Sequence, residues 1–461
     1  MTVPEQLDEV PDVRAKNLLE KRSIWAFPTI VGSLMIMLMT IIYFGSIVDP
    51  TAHLHGLPVW IVNQDYGATT SSGRLNLGNN VVAALKGSPE VSTKLSLKEV
   101  TLADAEAQMN KDNGYATIDI PSGFTESVLA LSGAPTPSGK STPLPTIDLL
   151  TNSRAGSLGV SLATGVVQPA ISEVSKKISA EVLQPSATDG AASTTPTALL
   201  EDPVSLEAVP FRPLPAHSGV GLTAFYFALL IMMCGFLGAT IVNSSIDAAL
   251  GFAPNEVGPR WRQRLPLKIT RWQTLLAKWA LAVAIMPLLT GLLLAVAAGV
   301  LRMDAPHWWY LWFFAWFTAS VVAIGTLVLF AALGSLGQLI ALLIFVYLAL
   351  ASSGGTIPLQ ALAGFYRFVA NFEPLRQILG GVRSILYFNS AADAGLSRGF
   401  TLTLIGLVFW LILGVGVTTW YDRRGLHRIE PEVMAYARTS ARAYHDQQRR
   451  SETATGVPGR I

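Results

Sequence analysis

Between Gly219 and Ser352 the chain is almost uncharged and too apolar to stay in water. Leu222–Val242 and Leu281–Leu301 hold no Asp, Glu, Lys or Arg. Trp308–Leu333 reads WWYLWFFAWFTASVVAIGTLVLFAAL, and Leu339–Ala351 follows a short turn at Gly334. A helix needs about 20 apolar residues to cross roughly 30 Å of hydrocarbon. It also satisfies its own backbone hydrogen bonds, which lipid cannot do. These four runs predict four membrane-spanning helices. Pro28–Val48 adds one before them and Gly399–Tyr421 one after them. Pro28–Val48 is too long for the apolar part of a signal peptide, and no small-x-small site follows at Asp49-Pro50. It is expected to stay attached.

Charge agrees with that reading. The chain is 51% hydrophobic and 14% charged, against about 25% charged in a soluble domain. Its one cysteine, Cys234, lies in a predicted span, so no intrachain disulfide and no thiolate cluster can form. Lys and Arg number four in 1–24, five in 243–274 and eight in 422–461. The positive-inside rule puts these three segments in the cytoplasm. The four arginines Arg367, Arg376, Arg383 and Arg398 in 353–398 weaken the bias there. The expected fold class is a polytopic α-helical membrane protein of six transmembrane helices, multi-pass in the plasma membrane with both termini cytoplasmic. An α/β extracytoplasmic domain stands between helices 1 and 2.

The domain division follows. Residues 1–24 are a cytoplasmic N-terminal segment, in which Asp12–Trp25 reads as an amphipathic helix on the membrane surface. Residues 25–48 are helix 1, 49–183 the α/β domain and 184–218 a linker. Residues 219–421 are a five-helix membrane domain with a hairpin at 352–388, and 422–461 a cytoplasmic tail. Within the α/β domain, Leu57–Val62 is a predicted strand ended by the turn Asn63–Gly67. Leu75–Leu85 has helical spacing. Ser92–Val100, Tyr115–Ile120 and Thr146–Leu150 read as strands, with a short helix over Thr101–Asn110. Gly156–Leu183 is a long amphipathic stretch with a kink expected at Pro169. From Gln184 to Pro215, Pro, Ser, Thr and Ala dominate, which reads as a linker.

Two segments are candidate sites. In 243–274, Arg260, Arg262, Arg264, Lys268 and Arg271 cluster beside Thr270 and Gln273, which have capping-box spacing. The segment is either a plain inside-facing anchor or a docking elbow for a cytoplasmic partner. In 352–388, Ser352-Ser353-Gly354-Gly355 breaks a span, and Pro358 and Pro374 punctuate two amphipathic turns. These predict a helical hairpin that dips into or lies on the outer leaflet, as a gate. Arg376 and Arg383 are seven apart and so share one face. They either snorkel to headgroups or steer anionic ones.

Motifs for chemistry are sparse. Ala134–Ser141 fits a relaxed phosphate-loop pattern, but Pro135, Pro137, Pro143 and Pro145 forbid the helix it needs. The histidines, among them His53, His55 and His217, are scattered and suggest no metal site. No catalytic set can be placed, so neither an enzyme nor a cofactor is expected, and nothing points to nucleic acid. The predicted spans hold no central charge. Lys278 sits at an inner end where it can snorkel, which argues against proton coupling.

Leu57-Pro-Val-Trp-Ile-Val-Asn-Gln-Asp-Tyr-Gly-Ala68, with Tyr115–Pro121 and Phe124, resembles the outer domain of the YhgE/Pip (phage infection protein) family. Ser352–Pro358 is similar to the related nitrosoguanidine-resistance type proteins. Asn371-Phe-Glu-Pro374 followed by Arg383 resembles the outer hairpin of ABC-2 type permeases, except that two residues separate Asn371 from Pro374. The resemblance implies a homodimeric permease for export or drug resistance, driven by a separate ATPase that meets the 243–274 elbow. The expected function is export of an amphiphilic or lipid-like compound. The alternative is a non-transporting anchored protein whose outer domain binds a cell-envelope partner.

Overall fold

A computed structural model of the protein describes residues 22–70, 73–131, 144–183, 201–262, 264–426, 428, 435 and 439. Most of the expected amphipathic segment Asp12–Trp25, the run 134–141, the stretch 184–200 and most of the tail lie outside these residues. Helix α1 (Arg22–Ile47) comes first. One long face of it, with Ile30, Leu34, Met37, Ile41 and Phe44, is exposed.

An α/β unit follows. Its elements are β1 (Leu57–Asn63), β2 (Ala68–Thr70), β3 (Gly73–Leu75), α2 (Leu77–Gly87), α3 (Pro89–Lys94), β4 (Leu95–Glu99), α4 (Leu102–Met109), β5 (Ala116–Ile120), α5 (Phe124–Leu131), β6 (Thr146–Thr151), α6 (Ser157–Ile178) and β7 (Ser205–Pro210). Five strands form one sheet in the order β4-β1-β5-β6-β7, while β2 and β3 pair separately. β1 runs parallel to β4 and β5, β5 antiparallel to β6, and β6 parallel to β7. Side chains alternate across a strand, and both faces of β1 are covered. Leu57, Val59 and Ile61 join Val81 and Leu85 of α2 and Val167 and Ile171 of α6 in one core. Trp60 and Val62 pack on Ala105 and Met109 of α4. A strand buried on both sides reads as an unbroken apolar run, as Leu57–Val62 does.

Two expectations need correction here. Ser92–Val100 is not all strand, because Pro89 takes the first position of α3 and the strand starts at Leu95. Proline's fixed φ suits that position. The expected linker contains β7, which pairs with β6 at the sheet edge. The expected long stretch is α6 with Pro169 inside it, followed by a π-helical turn, Ser179–Leu183.

The described residues after β7 form a helical bundle. It comprises α7 (Thr223–Ala249), the hairpin β8 (Asn255–Val257) and β9 (Arg260–Arg262), α8 (Arg271–Val300), α9 (Trp308–Leu333), α10 (Ser335–Ser352), α11 (Gly364–Val369), α12 (Pro374–Tyr387) and α13 (Leu396–Arg423). Among the described residues six helices, α1, α7, α8, α9, α10 and α13, are long and apolar enough to cross a membrane. α9 is apolar on every side and sits at the centre, against α7, α8, α12 and α13. A helix without a polar face belongs inside. α8 opens with the expected capping box: Thr270 Oγ1 accepts from Gln273 N at 3.1 Å, and Gln273 Oε1 accepts from Thr270 N at 3.4 Å.

The α/β unit is fused to one end of the bundle rather than tethered. Its core cluster takes in Ile42 of α1, Ala351 of α10, and Ile357, Ala361, Leu362 and Tyr366 of the following segment. Polar links reinforce this. Arg154 Nη1 donates to the Tyr387 carbonyl at 2.8 Å, and His55 N to the Gln360 carbonyl at 3.0 Å. Below, this is the domain end, and the opposite end is the far end.

Candidate functional site

The segment 110–115 projects from the α/β unit toward the bundle. Sequence chemistry fixes it there. Asp112 and Gly114 adopt positive φ of 57° and 130°, which Asp tolerates better than most residues and Gly without cost. Buried Asn152 donates to the Met109 carbonyl at 2.9 Å and to the Gly114 carbonyl at 3.1 Å. Trp60 Nε1 donates to the Asn113 carbonyl at 3.0 Å. Lys111 reaches across to Asp393 of the bundle at 3.0 Å.

Facing this segment is a helical hairpin. Gly354 takes positive φ, and Ser353 Oγ accepts from Gly355 N at 3.2 Å, which turns the chain out of α10. α11 descends, and Asn371–Glu373 turns it into α12. Buried Glu373 caps α12, accepting from Leu375 N at 2.5 Å and Arg376 N at 2.8 Å. Pro374 occupies the first turn. The hairpin tip, at Asn371 and Phe372, faces Thr318 of α9 across a cavity. Thr318 lies ten positions into α9, so the cavity under the tip abuts the body of that helix rather than its end.

Two chambers flank α12. The upper one is a cavity of about 850 Å³ between the 110–115 segment and the hairpin. It is polar, with Arg376, Arg383, Arg398, Lys111, Asp112 and Asp393 on its walls. The lower one, about 400 Å³, is apolar, with Val322, Phe345, Phe372, Ile405, Phe409 and Trp410 among its walls. Phe372, Ile405 and Phe409 are also exposed on the bundle side, so the lower chamber opens laterally. Gln377 and Leu402 line both chambers.

Arg376 and Arg383 do share a face, and that face lines the polar chamber. Arg383 does not snorkel; it is 9% exposed. Its Nη2 donates to the Gly355 carbonyl at a long 3.5 Å, and its Nε has no partner. Burial pushes the Asp112 carboxyl up to about 7, against the opposing pull of the Arg383 guanidinium. Of the other hairpin candidates, Ser353 and Gly354 line the polar chamber and Pro374 the apolar one. Ser352 Oγ is spent on the Leu348 carbonyl at 2.7 Å, and Pro358 is buried.

A third cavity, about 680 Å³, lies at the far end. Lys278 does not snorkel to a surface there. It is buried, 2.7 Å from Asp247, and donates to Asn243 Oδ1 at 2.7 Å. Arg428 adds a bidentate pair to the same carboxylate at 2.6 and 3.0 Å. Of the basic elbow, Arg260 and Arg262 lie on β9, and Arg264 and Lys268 are exposed. Arg271 instead lines this cavity, its Nε donating to the Leu426 carbonyl at 2.6 Å and its guanidinium over the Tyr421 ring.

The sequence reading missed Asp112, Asp247, Gln377 and Leu402. Asp112-Asn-Gly114 is a turn signal, but nothing local marks the other three. Among the described residues no group of three or more His, Cys, Asp or Glu could hold a metal ion. His53 and His55 are exposed and bond to backbone carbonyls nearby.

Residues 29–413 match the family described as Protein of unknown function (DUF3533), which covers most of the chain. The chain belongs to that family. The matched span begins in α1 and ends in α13, so the α/β unit and the bundle are both features of a DUF3533 protein. No curated protein and no solved structure matches the chain.

Proposed function

We propose that this protein is an ABC-2-like permease subunit that exports an amphiphilic or lipid-like compound across the plasma membrane. The observation that carries the reading is the pair of neighbouring chambers that share Gln377 and Leu402 as lining residues. One is polar and lies under the α/β unit; the other is apolar and opens on the bundle side. A head group fits the first and a chain fits the second. In this reading the hairpin tip lies within the hydrocarbon layer, and the apolar chamber beside it gives a lipid-borne molecule a lateral way in. In this reading the domain end is extracytoplasmic, the far end cytoplasmic, and both termini cytoplasmic.

Energy would come from a separate ATPase docked on β8–β9 with Arg264 and Lys268. Two copies of the chain would form the working unit, as in the ABC-2 type permeases it resembles. The second reading, an anchored binding module, is less favoured. A module of that kind needs no shared core with its anchor, whereas here Ile42, Ala351 and Tyr366 join the core of the α/β unit.

The test is reconstitution in liposomes with the ATPase that co-purifies. ATP-dependent movement of a fluorescent amphiphile between leaflets, lost when 255–262 is replaced by a Gly-Ser loop, is the expected result. Movement that is indifferent to ATP would overturn the docking role. No movement of any amphiphile would overturn the permease reading.

A further inference from the structure

Among the described residues, four buried side-chain polar atoms lack a hydrogen-bond partner. Two of them, Arg383 Nε and Gln360 Oε1, belong to residues lining the polar chamber. A guanidinium carries five N–H donors in a planar fork, and burying a charge without a partner is costly. Arg383 takes part in no ion pair among the described residues. The chamber walls carry four cations, Lys111, Arg376, Arg383 and Arg398, against two carboxylates, Asp112 and Asp393. Lys111 and Asp393 cancel each other at 3.0 Å, which leaves three arginines facing Asp112. Asp112 stays beyond ion-pair distance of Arg383, so it does not occupy the fork.

We propose that the polar chamber is a phosphate-type oxyanion site, in which Arg383 forks the anionic head group of an amphiphile whose chain lies in the apolar chamber. Arginine is suited to this because its fork matches two oxyanion oxygens at once. Arg376 and Arg398 add charge from the same wall. Gln377, between the chambers, marks the junction of head and chain. The inference rests on the permease reading only for the placement of the chain; the recognition of the anion stands on the chamber itself.

The test uses the full chain in a neutral maltoside detergent and three probes: lysophosphatidic acid, monoolein and inorganic phosphate. The expected result is that lysophosphatidic acid binds about tenfold or more tighter than either other probe. Arg383→Gln abolishes that preference, Arg383→Lys keeps part of it, and Arg367→Gln, on an exposed arginine of α11, leaves it unchanged. Asp112→Asn removes the opposing carboxylate and tightens binding, which guards against misreading a poorly folded Arg383 variant. Equal binding of lysophosphatidic acid and monoolein overturns the anion site and leaves a permease for a neutral amphiphile standing. Phosphate alone binding as tightly as lysophosphatidic acid overturns the lipid source. Arg383-dependent binding with no movement of any amphiphile in liposomes overturns the permease reading and leaves the anion site intact.

Discussion

Lys278 Nζ lies 2.7 Å from Asp247 Oδ1, and both side chains are buried where α7 meets α8. The same carboxylate accepts both ends of the Arg428 fork, so it holds α7, α8 and the segment after α13 together. Removing one partner of a buried pair leaves an uncompensated charge, which costs more than the pair contributes. Asp247→Asn strands two cations, whereas Lys278→Met leaves Asp247 with Arg428. Asp247→Asn is therefore expected to destabilise by about 3 kcal/mol, and Lys278→Met by less. Thermal unfolding of both variants and the double variant in detergent checks the order. A larger loss for Lys278→Met would contradict it.

Asp112 gives a pH dependence with a definite sign. Burial raises its carboxyl from 3.8 to about 7, with Arg383 pulling the other way. The other charged and titratable groups around the chamber are Tyr115, Arg376, Arg398 and the Lys111–Asp393 pair. A raised acid pKa means that the folded protein holds its proton more tightly than the unfolded one. The contribution to stability is complete below 3.8 and is lost as pH rises through about 7. Asp112→Asn cannot ionise and suits the left-handed φ of 57°. Its advantage over the wild type should grow from about pH 4 to about pH 7 and then level off. Melting curves across that range decide it; a constant offset would mean that the carboxyl does not titrate there.

α12 packs on α9 through Gly381 and meets α13 through Gly399. A Cβ at Gly381 would run into the ring of Phe314, and one at Gly399 would come within 2.6 Å of the Gln377 carbonyl oxygen. Overpacking of this kind costs about 1–3 kcal/mol. Gly381→Ala should destabilise by that amount, and Phe314→Leu in the same chain should restore part of it. If the two effects simply add, the helices are not in the contact described.

Much of this architecture was legible in the sequence. Length and apolarity mark the long helices, an unbroken apolar run marks β1 and alternation marks β5, because those signals are local. β7 was hidden because an exposed edge strand needs few apolar residues, and its setting is rich in Pro, Ser, Thr and Ala. α3 was absorbed into a strand although Pro89 announced it. The site was legible only by halves. The seven-residue spacing of Arg376 and Arg383 gives a common face, but no spacing tells that 110–115 would cover it. Asp247 and Lys278 are 31 positions apart on different helices, so no i,i+4 pattern pairs them.

The head-and-chain assignment across Gln377 and Leu402 is the centre of the account. Half-buried Leu402 lines both chambers, whereas Ile412 is exposed on the same helix. Each position is replaced in turn by p-benzoylphenylalanine, the protein is irradiated in its own membrane, and the adducts are weighed by mass spectrometry. Adducts at 402 enriched in one anionic amphiphile relative to 412, with the enrichment lost in Arg383→Gln, are the predicted result. Adducts at 402 with the same lipid composition as at 412 would contradict it.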